Sequence, residues 1–196
     1  MRGIGHQQLS IFKLEKGLTC GGTLRKKRKG RKARPLSTKE PLHVVFKINR
    51  RRLRFGNLRS PKNFALAKGV CQQYARKFFI KIEQVSIQGD HCHLLLRTSR
   101  RSNFHFFFRV VAGQIAQRLE NEGLLKPVTD TPKGACKKGT GLWKYRPFSR
   151  VVRGWRAFKI VRDYIQLNEK EALGVIRFQS RRLRGLSSAD WEILWR

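Results

Sequence analysis

The sequence predicts an α+β domain of the ferredoxin-like type, in which a βαββαβ chain forms an antiparallel sheet with helices on one face. Three observations predict this fold. Strand-like and helix-like hydrophobic patterns follow one another in that order between residues 42 and 152. A tight turn at Gln88-Gly89-Asp90 joins two of the strand patterns into a hairpin. A further C-terminal helix, which carries Tyr164, follows the last strand.

Four segments have the alternation or apolar content of strands. Residues 42–49 alternate between an apolar and a mixed face, which is typical of a half-buried strand. Residues 79–87 change phase near positions 83 and 84, and this predicts a β-bulge. Residues 91–96 form the second arm of the hairpin, and residues 148–152 form a short last strand. The sheet face away from the helices is expected to stay open for a ligand.

Two helices connect these strands, and each has its own start or stop signal. Ser60 as N-cap and Pro61 in the first turn begin the first helix. Ser102 or Asn103 is expected to cap the second helix, and Gly123 to end it. The C-terminal helix follows Gly154, ends near Gly174, and is expected to bury Trp155, Phe158, Val161 and Ile165.

The composition restricts the function more than the length does. The 196 residues include 45 Lys and Arg against 12 acidic residues, which gives a formal charge of +33. Such a charge repels itself in a compact state, so a polyanionic partner is expected, and nucleic acid is favoured over a membrane surface. There is no apolar run of transmembrane length and no apolar signal-peptide core, so we expect a cytoplasmic, nucleoid-associated protein with no membrane partner. The four cysteines are too far apart for a zinc knuckle or disulfide framework and are expected to be free thiols.

Charge also divides the chain into three parts. Residues 1–41 are a basic arm that should be largely disordered alone, residues 42–176 are the folded domain, and residues 177–196 are a basic and aromatic tail. Clustered Lys and Arg release counterions from phosphates, so the arm and the loop after the first strand are expected to bind nucleic acid. The residues expected to do so are Arg25, Lys26, Lys27, Arg28, Lys29, Arg31, Lys32, Arg50, Arg51, Arg52 and Arg54.

The hairpin carries the first candidate site. Alternate side chains of a strand share a face, so His91 and His93 point the same way, about 7 Å apart by strand rise, and can converge on one ion. Cys92 points to the core. An isolated pair of histidines is more often not a metal site, since a usual site has three or four ligands.

The C-terminal helix supplies the other candidates. Tyr164 and Asn168 are four positions apart and therefore neighbours on one side of the helix. An amide oxygen of Asn168 is suited to be a third metal ligand beside the histidines. A tyrosine hydroxyl is a weak nucleophile at neutral pH, but a divalent cation on a phosphate makes covalent catalysis feasible. Taken singly, Tyr164 is more often a packing residue at a helix edge.

Three segments in this order resemble one known family. They are Asp90-His91-Cys92-His93-Leu94-Leu95, then Trp143-Lys144-Tyr145-Arg146-Pro147-Phe148, then the helix end from Tyr164 to Gly174. The chain resembles the REP-associated tyrosine transposases, a branch of the HUH single-tyrosine transposases, over about residues 40–176. Two positions depart from the family pattern: Glu169 stands where proline is common, and Cys92 is a small middle residue between the histidines.

The resemblance implies a function and a site. It implies an endonuclease and transposase that cleaves and rejoins single-stranded DNA at or near hairpins through a 5′-phosphotyrosine, and thereby supports DNA recombination and transposition. Tyr164 would be the nucleophile, His91, His93 and Asn168 would bind the metal, and the cofactor would be Mn²⁺ or Mg²⁺, with the imidazoles favouring Mn²⁺. The family also allows a homodimer.

Two other functions are weighed against this one. A non-catalytic RNA- or DNA-binding protein of the same fold would use the sheet face and the basic arm alone. No strand has the glycine and aromatic run of an RNA-recognition motif. A nuclease with three carboxylates fits poorly, because the acidic residues are few and several stand in clusters at helix ends.

Overall fold

The structure, a computed structural model, describes residues 17–25, 33–126 and 141–196. The strands and α-helices of these residues, in chain order, are β1 (Thr19–Cys20), β2 (Leu42–Lys47), α1 (Pro61–Lys77), β3 (Lys81–Ile87), β4 (His91–Arg97), α2 (Arg101–Asn121), β5 (Phe148–Val151), α3 (Gly154–Ala172) and α4 (Ser188–Trp195).

The five strands form one antiparallel sheet in the order β1-β5-β2-β4-β3. Strands β2 to β5 with α1 and α2 are the predicted βαββαβ unit, and the two strands that each precede a connecting helix, β2 and β4, pair at its centre. The hairpin of β3 and β4 is confirmed, as is the bulge, because the register shifts between Ile82 and Gln84. Strand β1 was not predicted, since two residues carry no periodicity.

Helices α1 and α2 cover one face of the sheet and bury the main core. Val44 and Phe46 of β2 and Leu94 and Leu96 of β4 point into it. The predicted stripe of α2 is buried as well, and it consists of Phe104, Phe108, Val111, Ile115 and Leu119. Each such side chain contributes roughly 1.5–3 kcal/mol relative to an exposed position.

Helix α2 begins earlier than predicted. Arg100 is its N-cap residue and Arg101 its first residue, so the prediction of a Ser102 or Asn103 cap is wrong. The reason lies in the turn before it, where the Asn103 side chain donates to Thr98 Oγ1 instead of capping the helix. The predicted end is confirmed, because Gly123 follows the helix with a φ of 64° that favours glycine.

The second face of the sheet is not open over β3 and β4, because α3 lies on it. Leu95, which alternates with the core-facing leucines of β4, packs there against Phe158, Val161 and Ile165. The prediction of an open ligand face is therefore wrong for this part of the sheet. Trp155, predicted to be inward, is 67% exposed and stacks on Phe158.

The described parts of the basic arm are attached to the sheet. Strand β1 pairs with β5, Leu36 is buried in the main core, and the Arg34 guanidinium donates to Ser149 Oγ and to the Pro147 carbonyl at 2.8 Å. A largely disordered arm is thus the wrong description of residues 17–25 and 33–41, because backbone pairing with β5 does not depend on side-chain charge. Residues 26–32 lie outside the described part of the chain.

The C-terminal tail folds back on α3. Leu194 of α4 is buried with Leu167 of α3 and Ile176, and the Gln166 amide donates to the Leu194 carbonyl at 3.1 Å. Ser187 caps α4 through a capping box with Asp190. The tail therefore contributes to the packing around the tyrosine helix.

The predictions about the cysteines and about membrane-spanning helices can be compared with the structure only over the described ranges. Cys71 and Cys92 are buried free thiols there and Cys20 is buried as well, whereas Cys136 lies outside them. Among the helices of residues 17–25, 33–126 and 141–196, none is both long and apolar enough to span a bilayer.

Candidate active site

The histidine pair lies at the start of β4, directly after the hairpin turn. The rings of His91 and His93 have centroids 4.7 Å apart and stand almost perpendicular, at 84°. Cys92 points to the opposite face and is buried in the core. The structure thus places the two imidazoles side by side on one face of the sheet, as the strand alternation predicts.

Asp90 fixes the orientation of His91. The His91 Nδ1 atom lies 2.6 Å from Asp90 Oδ1, and the Lys47 ammonium lies 3.5 Å from the other carboxylate oxygen. The hydrogen bond to His91, together with the charges of Lys47 and Arg50, holds the pKa of Asp90 well below its usual range. An ionised Asp90 accepts the proton of Nδ1, and this leaves the lone pair of His91 on Nε2.

His93 is fully buried, and its two ring nitrogens have different surroundings. Nδ1 lies 3.0 Å from Nε2 of His43 on the neighbouring strand β2, whereas Nε2 has no hydrogen-bond partner among the described residues. Burial lowers the pKa of His43 to about 3, and burial with the nearby charges of His91, His43 and Arg182 lowers the pKa of His93 well below its usual value. Both rings are therefore neutral near pH 7.

Tyr164 comes to the same place from α3. Its ring centroid is 5.6 Å from that of His93, with the rings at 87°, and its side chain is buried in the cluster of Leu95, Val161 and Ile165. The apolar stripe of α3 that binds Leu95 is what turns Tyr164 toward the histidine face. The structure thus brings the predicted tyrosine and the histidine pair together within one chain.

Asn168 lies one helical turn beyond Tyr164, and its side chain is already engaged. Its Oδ1 accepts a hydrogen bond from Nη2 of Arg182, while its Nδ2 is buried without a partner among the described residues. Arg182 also pairs with Glu171 at 2.7 and 3.0 Å, and its guanidinium carbon lies 5.3 Å from the centre of the Tyr164 ring. An arginine of the tail therefore holds the oxygen that the sequence assigned to a metal.

Glu169 has a structural role at the end of α3. Its carboxylate accepts two hydrogen bonds from Arg59, each 3.1 Å long, and a third from Ser86 Oγ at 3.0 Å. The Gln88 side chain donates to the backbone carbonyl of Asn168 at 2.8 Å. These contacts fasten the end of α3 to β3, to the hairpin turn and to the segment before α1, and so they fix the position of Asn168.

The donor set at this site fits a divalent cation. The two imidazoles of His91 and His93 are adjacent, and His93, whose lowered pKa keeps it neutral, has a buried Nε2 without a hydrogen-bond partner among the described residues. A neutral imidazole nitrogen is the form in which histidine binds metals. Across the residues that the structure describes, no three His, Cys, Asp or Glu side chains converge on a common point. Further ligands would therefore be an amide oxygen, water or the substrate phosphate.

Comparison with known proteins decides the family. The sequence model of a family described as "Transposase IS200 like" matches residues 37–168, which is more than half of the chain and includes both histidines, Tyr164 and Asn168. The chain belongs to the IS200-like transposase family. No curated protein matches it.

Two solved structures resemble this transposase. One is the structure of a REP-associated tyrosine transposase bound to a REP hairpin, which is 14% identical, has a TM-score of 0.54 and covers 75% of this chain and 76% of its own. The other is a candidate transposase from Deinococcus radiodurans R1, which is 17% identical, has a TM-score of 0.42 and covers 71% of this chain and 98% of its own. The first likeness establishes the fold and confirms the predicted ferredoxin-like class.

The basic residues of this transposase are only partly described. Residues 50–55, here called the basic loop, follow β2 next to the hairpin turn, and Arg50 is close enough to act on the Asp90 carboxylate. Arg50, Arg51 and Arg54 are exposed, whereas Arg52 donates to the Lys126 carbonyl at 2.8 Å and is half-buried. The Arg25 side chain, Lys26, Lys27, Arg28, Lys29, Arg31 and Lys32 lie outside the described part of the chain.

Sequence reasoning missed two residues of the site, His43 and Arg182. A signal for His43 existed, because strand alternation places it on the non-core face of β2, the face that the histidine pair occupies on β4. Arg182 gave no signal, since only the folding back of the tail brings it to Asn168.

Proposed function

We propose that this transposase cleaves and rejoins single-stranded DNA at or near hairpins through a covalent 5′-phosphotyrosine at Tyr164, with Mn²⁺ or Mg²⁺ at His91 and His93. One observation carries the proposal: the ring centroids of Tyr164 and His93 are 5.6 Å apart, and those of His93 and His91 are 4.7 Å apart. A packing tyrosine has no need of two imidazoles at its edge. A nucleophile that attacks a metal-bound phosphate needs both.

The chemistry assigns a part to each residue. Tyr164 Oη attacks the phosphorus, the bond from phosphorus to the 3′ oxygen breaks, the phenol loses its proton, and the 3′ oxygen gains one as it leaves. A divalent cation on the two imidazoles would withdraw charge from the phosphate oxygens. Asp90 holds His91 for this role. Rejoining is the reverse step, in which the free 3′-OH attacks the phosphotyrosine and releases the phenol.

The third ligand depends on Arg182. In this structure Asn168 Oδ1 accepts from Arg182, so the amide oxygen becomes a ligand only when the guanidinium moves away. The positive charge of Arg182 acts on His93 and opposes a second cation beside it. We propose that Asn168 completes the metal site when Arg182 has released it.

The proposed substrate follows from charge and from the similar structure. The relative of known structure is bound to a REP hairpin. The formal charge of +33 favours a polyanion, and the basic loop lies beside the turn that carries Asp90. We therefore place the hairpin stem against the basic loop and the single strand at Tyr164. Because the tyrosine and the histidines belong to one chain, this proposal does not require the homodimer.

An adduct assay tests the proposal. Labelled hairpin DNA with a single-stranded flank is incubated with the full chain and Mn²⁺, and covalent adducts are separated on denaturing gels. We expect an adduct that Tyr164→Phe abolishes, that His91→Ala loses, and that the matched control Tyr145→Phe retains. Hairpin binding without an adduct in Mn²⁺ or Mg²⁺ would instead support the non-catalytic nucleic-acid-binding protein.

A further inference from the structure

His43 and His93 share a buried hydrogen bond that has no part in the proposed reaction as described above. Strands β2 and β4 are neighbours, with Val45 opposite His93, so His43 is the diagonal neighbour of His93 on the same face. His43 Nε2 and His93 Nδ1 are 3.0 Å apart, and both rings are buried. The ring planes differ by 17° and the centroids lie 5.3 Å apart, much further than the nitrogens, so the rings meet edge to edge.

A single proton lies between the two nitrogens, and its position decides what His93 presents to the site. When the proton is on His43 Nε2, a neutral His93 carries its own proton on Nε2 and points an N–H into the site. When the proton is on His93 Nδ1, His43 accepts it and His93 directs a lone pair into the site from Nε2. Only the second arrangement leaves His93 able to bind a cation.

We propose that His43 is a positioning residue: its Nε2 accepts the Nδ1 proton of His93 and holds His93 in the tautomer whose Nε2 lone pair faces the metal site. The inference rests on the proposed function, because it assigns a purpose to that lone pair. It gives the two imidazoles matching supports, since Asp90 Oδ1 accepts from Nδ1 of His91 at 2.6 Å and His43 accepts from Nδ1 of His93 at 3.0 Å.

The difference between the two supports follows from burial. Asp90 is partly exposed at the hairpin turn, where water and Lys47 stabilise its charge. His93 is fully buried beneath α3, and a carboxylate placed beside it would have to lose its hydration, which disfavours the charged form. A neutral imidazole supplies the same lone pair without that cost. The deeper ligand therefore has a neutral acceptor and the shallower ligand a charged one.

Two substitutions separate positioning from packing. His43→Gln keeps an acceptor, because the glutamine Oε1 reaches about as far as the histidine Nε2, whereas His43→Leu keeps an apolar side chain and removes the acceptor. His105→Leu is the matched control, since His105 is exposed on the far side of α2. Each full-length variant is first compared with the wild type in its unfolding midpoint and in hairpin affinity in EDTA.

Mn²⁺ affinity, measured by calorimetry without DNA, is the main readout. We expect His43→Leu to bind Mn²⁺ about 10- to 100-fold more weakly than the wild type, as is usual when a metal ligand loses its supporting hydrogen bond. His43→Gln should stay within about threefold of the wild type. His105→Leu should be unchanged. In ¹⁵N NMR spectra of the metal-free wild type, the His93 signals should show a protonated Nδ1 and an unprotonated Nε2.

The results separate the two proposals. The role of His43 would be overturned if a folded His43→Leu variant bound Mn²⁺ with the affinity of the wild type. It would also be overturned if the His43→Gln variant bound Mn²⁺ as weakly as the His43→Leu variant. A protonated Nε2 on His93 in the NMR spectra of the wild type would overturn the role as well. This measurement does not depend on whether the variants are stable enough to titrate with Mn²⁺. If the wild type itself binds no Mn²⁺ and forms no adduct, the proposed function fails, and this inference fails with it.

Discussion

Replacing Arg182 by alanine removes the contact through which the C-terminal tail holds the candidate active site. Its guanidinium pairs with Glu171, donates to Asn168 Oδ1 and lies over the Tyr164 ring. The side chains of Arg182 and Glu171 are only 12% and 10% exposed. The substitution should therefore lower stability and, at the same time, increase the affinity of the site for a cation.

The magnitude of the stability change has two parts. A largely buried carboxylate that loses its partner costs about 3 kcal/mol or more. The second part is backbone strain, because Arg182 has a φ of 55° and a left-handed conformation at a non-glycine residue costs about 1–2 kcal/mol. Arg182→Ala keeps that strain and Arg182→Gly relieves it, so the glycine variant should be roughly 1 kcal/mol more stable than the alanine variant.

The effect on metal binding has the opposite sign. The Arg182 guanidinium lies 5.3 Å from the centre of the Tyr164 ring and its charge acts on His93. Removing this charge, in surroundings of intermediate dielectric, should strengthen Mn²⁺ binding by about tenfold or more. The unpaired Glu171 carboxylate and the released Asn168 oxygen act in the same direction.

Urea unfolding and Mn²⁺ calorimetry on the same preparations check both effects. The double variant Glu171→Gln/Arg182→Ala is the control, because it removes both charges and should be more stable than Arg182→Ala alone. The reasoning is wrong if Arg182→Ala binds Mn²⁺ no more tightly than the wild type, or if its unfolding free energy is unchanged.

Three further predictions follow from the site. Because burial lowers the pKa of His43 to about 3 and lowers the pKa of His93 well below its usual value, each histidine gains a proton when the protein unfolds in acid. As the pH decreases below about 6.5, the free energy of unfolding should therefore decrease by about 1.4 kcal/mol per pH unit for each histidine. Urea titrations at pH 7.0 and 5.5 measure this decrease, and His43→Gln should show the smaller one. Asp90→Ala should weaken Mn²⁺ binding by about 10- to 100-fold in calorimetry, since His91 loses the acceptor that orients it, and unchanged binding would contradict that role. Replacing the three exposed arginines of the basic loop by glutamine should make hairpin affinity less dependent on salt. The slope of log affinity against log salt concentration should become shallower by about 0.9 for each phosphate that the loop no longer neutralises. An unchanged slope would show that the loop does not contact the DNA.

The main fold was predictable because its signals are local. The alternation of β2, the apolar stripe of α2 and the turn at Gln88-Gly89-Asp90 are local patterns that each predict the structure of their own segment. Together these patterns are consistent with one fold, the βαββαβ arrangement. The position of α3 had a signal that went unused. The run Leu94-Leu95-Leu96 in β4 is apolar on both faces, and a strand of that kind belongs to a sheet covered on both sides.

The candidate site was predictable where its residues share a strand or a helix. Spacing placed His91 with His93 and Tyr164 with Asn168, because residues of one element keep a fixed geometry. The role of Arg182 depends on a chain reversal after α3 and on the docking of Leu194, and no local pattern encodes either one. The exposure of Trp155 was mispredicted because helical spacing gives the face on which a residue lies but not whether another element covers the first turn of the helix.

The most direct test of the account is to locate the bond between protein and DNA. The adduct trapped with Mn²⁺ is digested with protease and nuclease, and the nucleotide-bearing peptide is sequenced by tandem mass spectrometry. The chain offers three tyrosines, Tyr74, Tyr145 and Tyr164. We predict a nucleotide joined through its 5′ phosphate to Tyr164, and its attachment to Tyr74, Tyr145 or any other side chain would contradict the site described above.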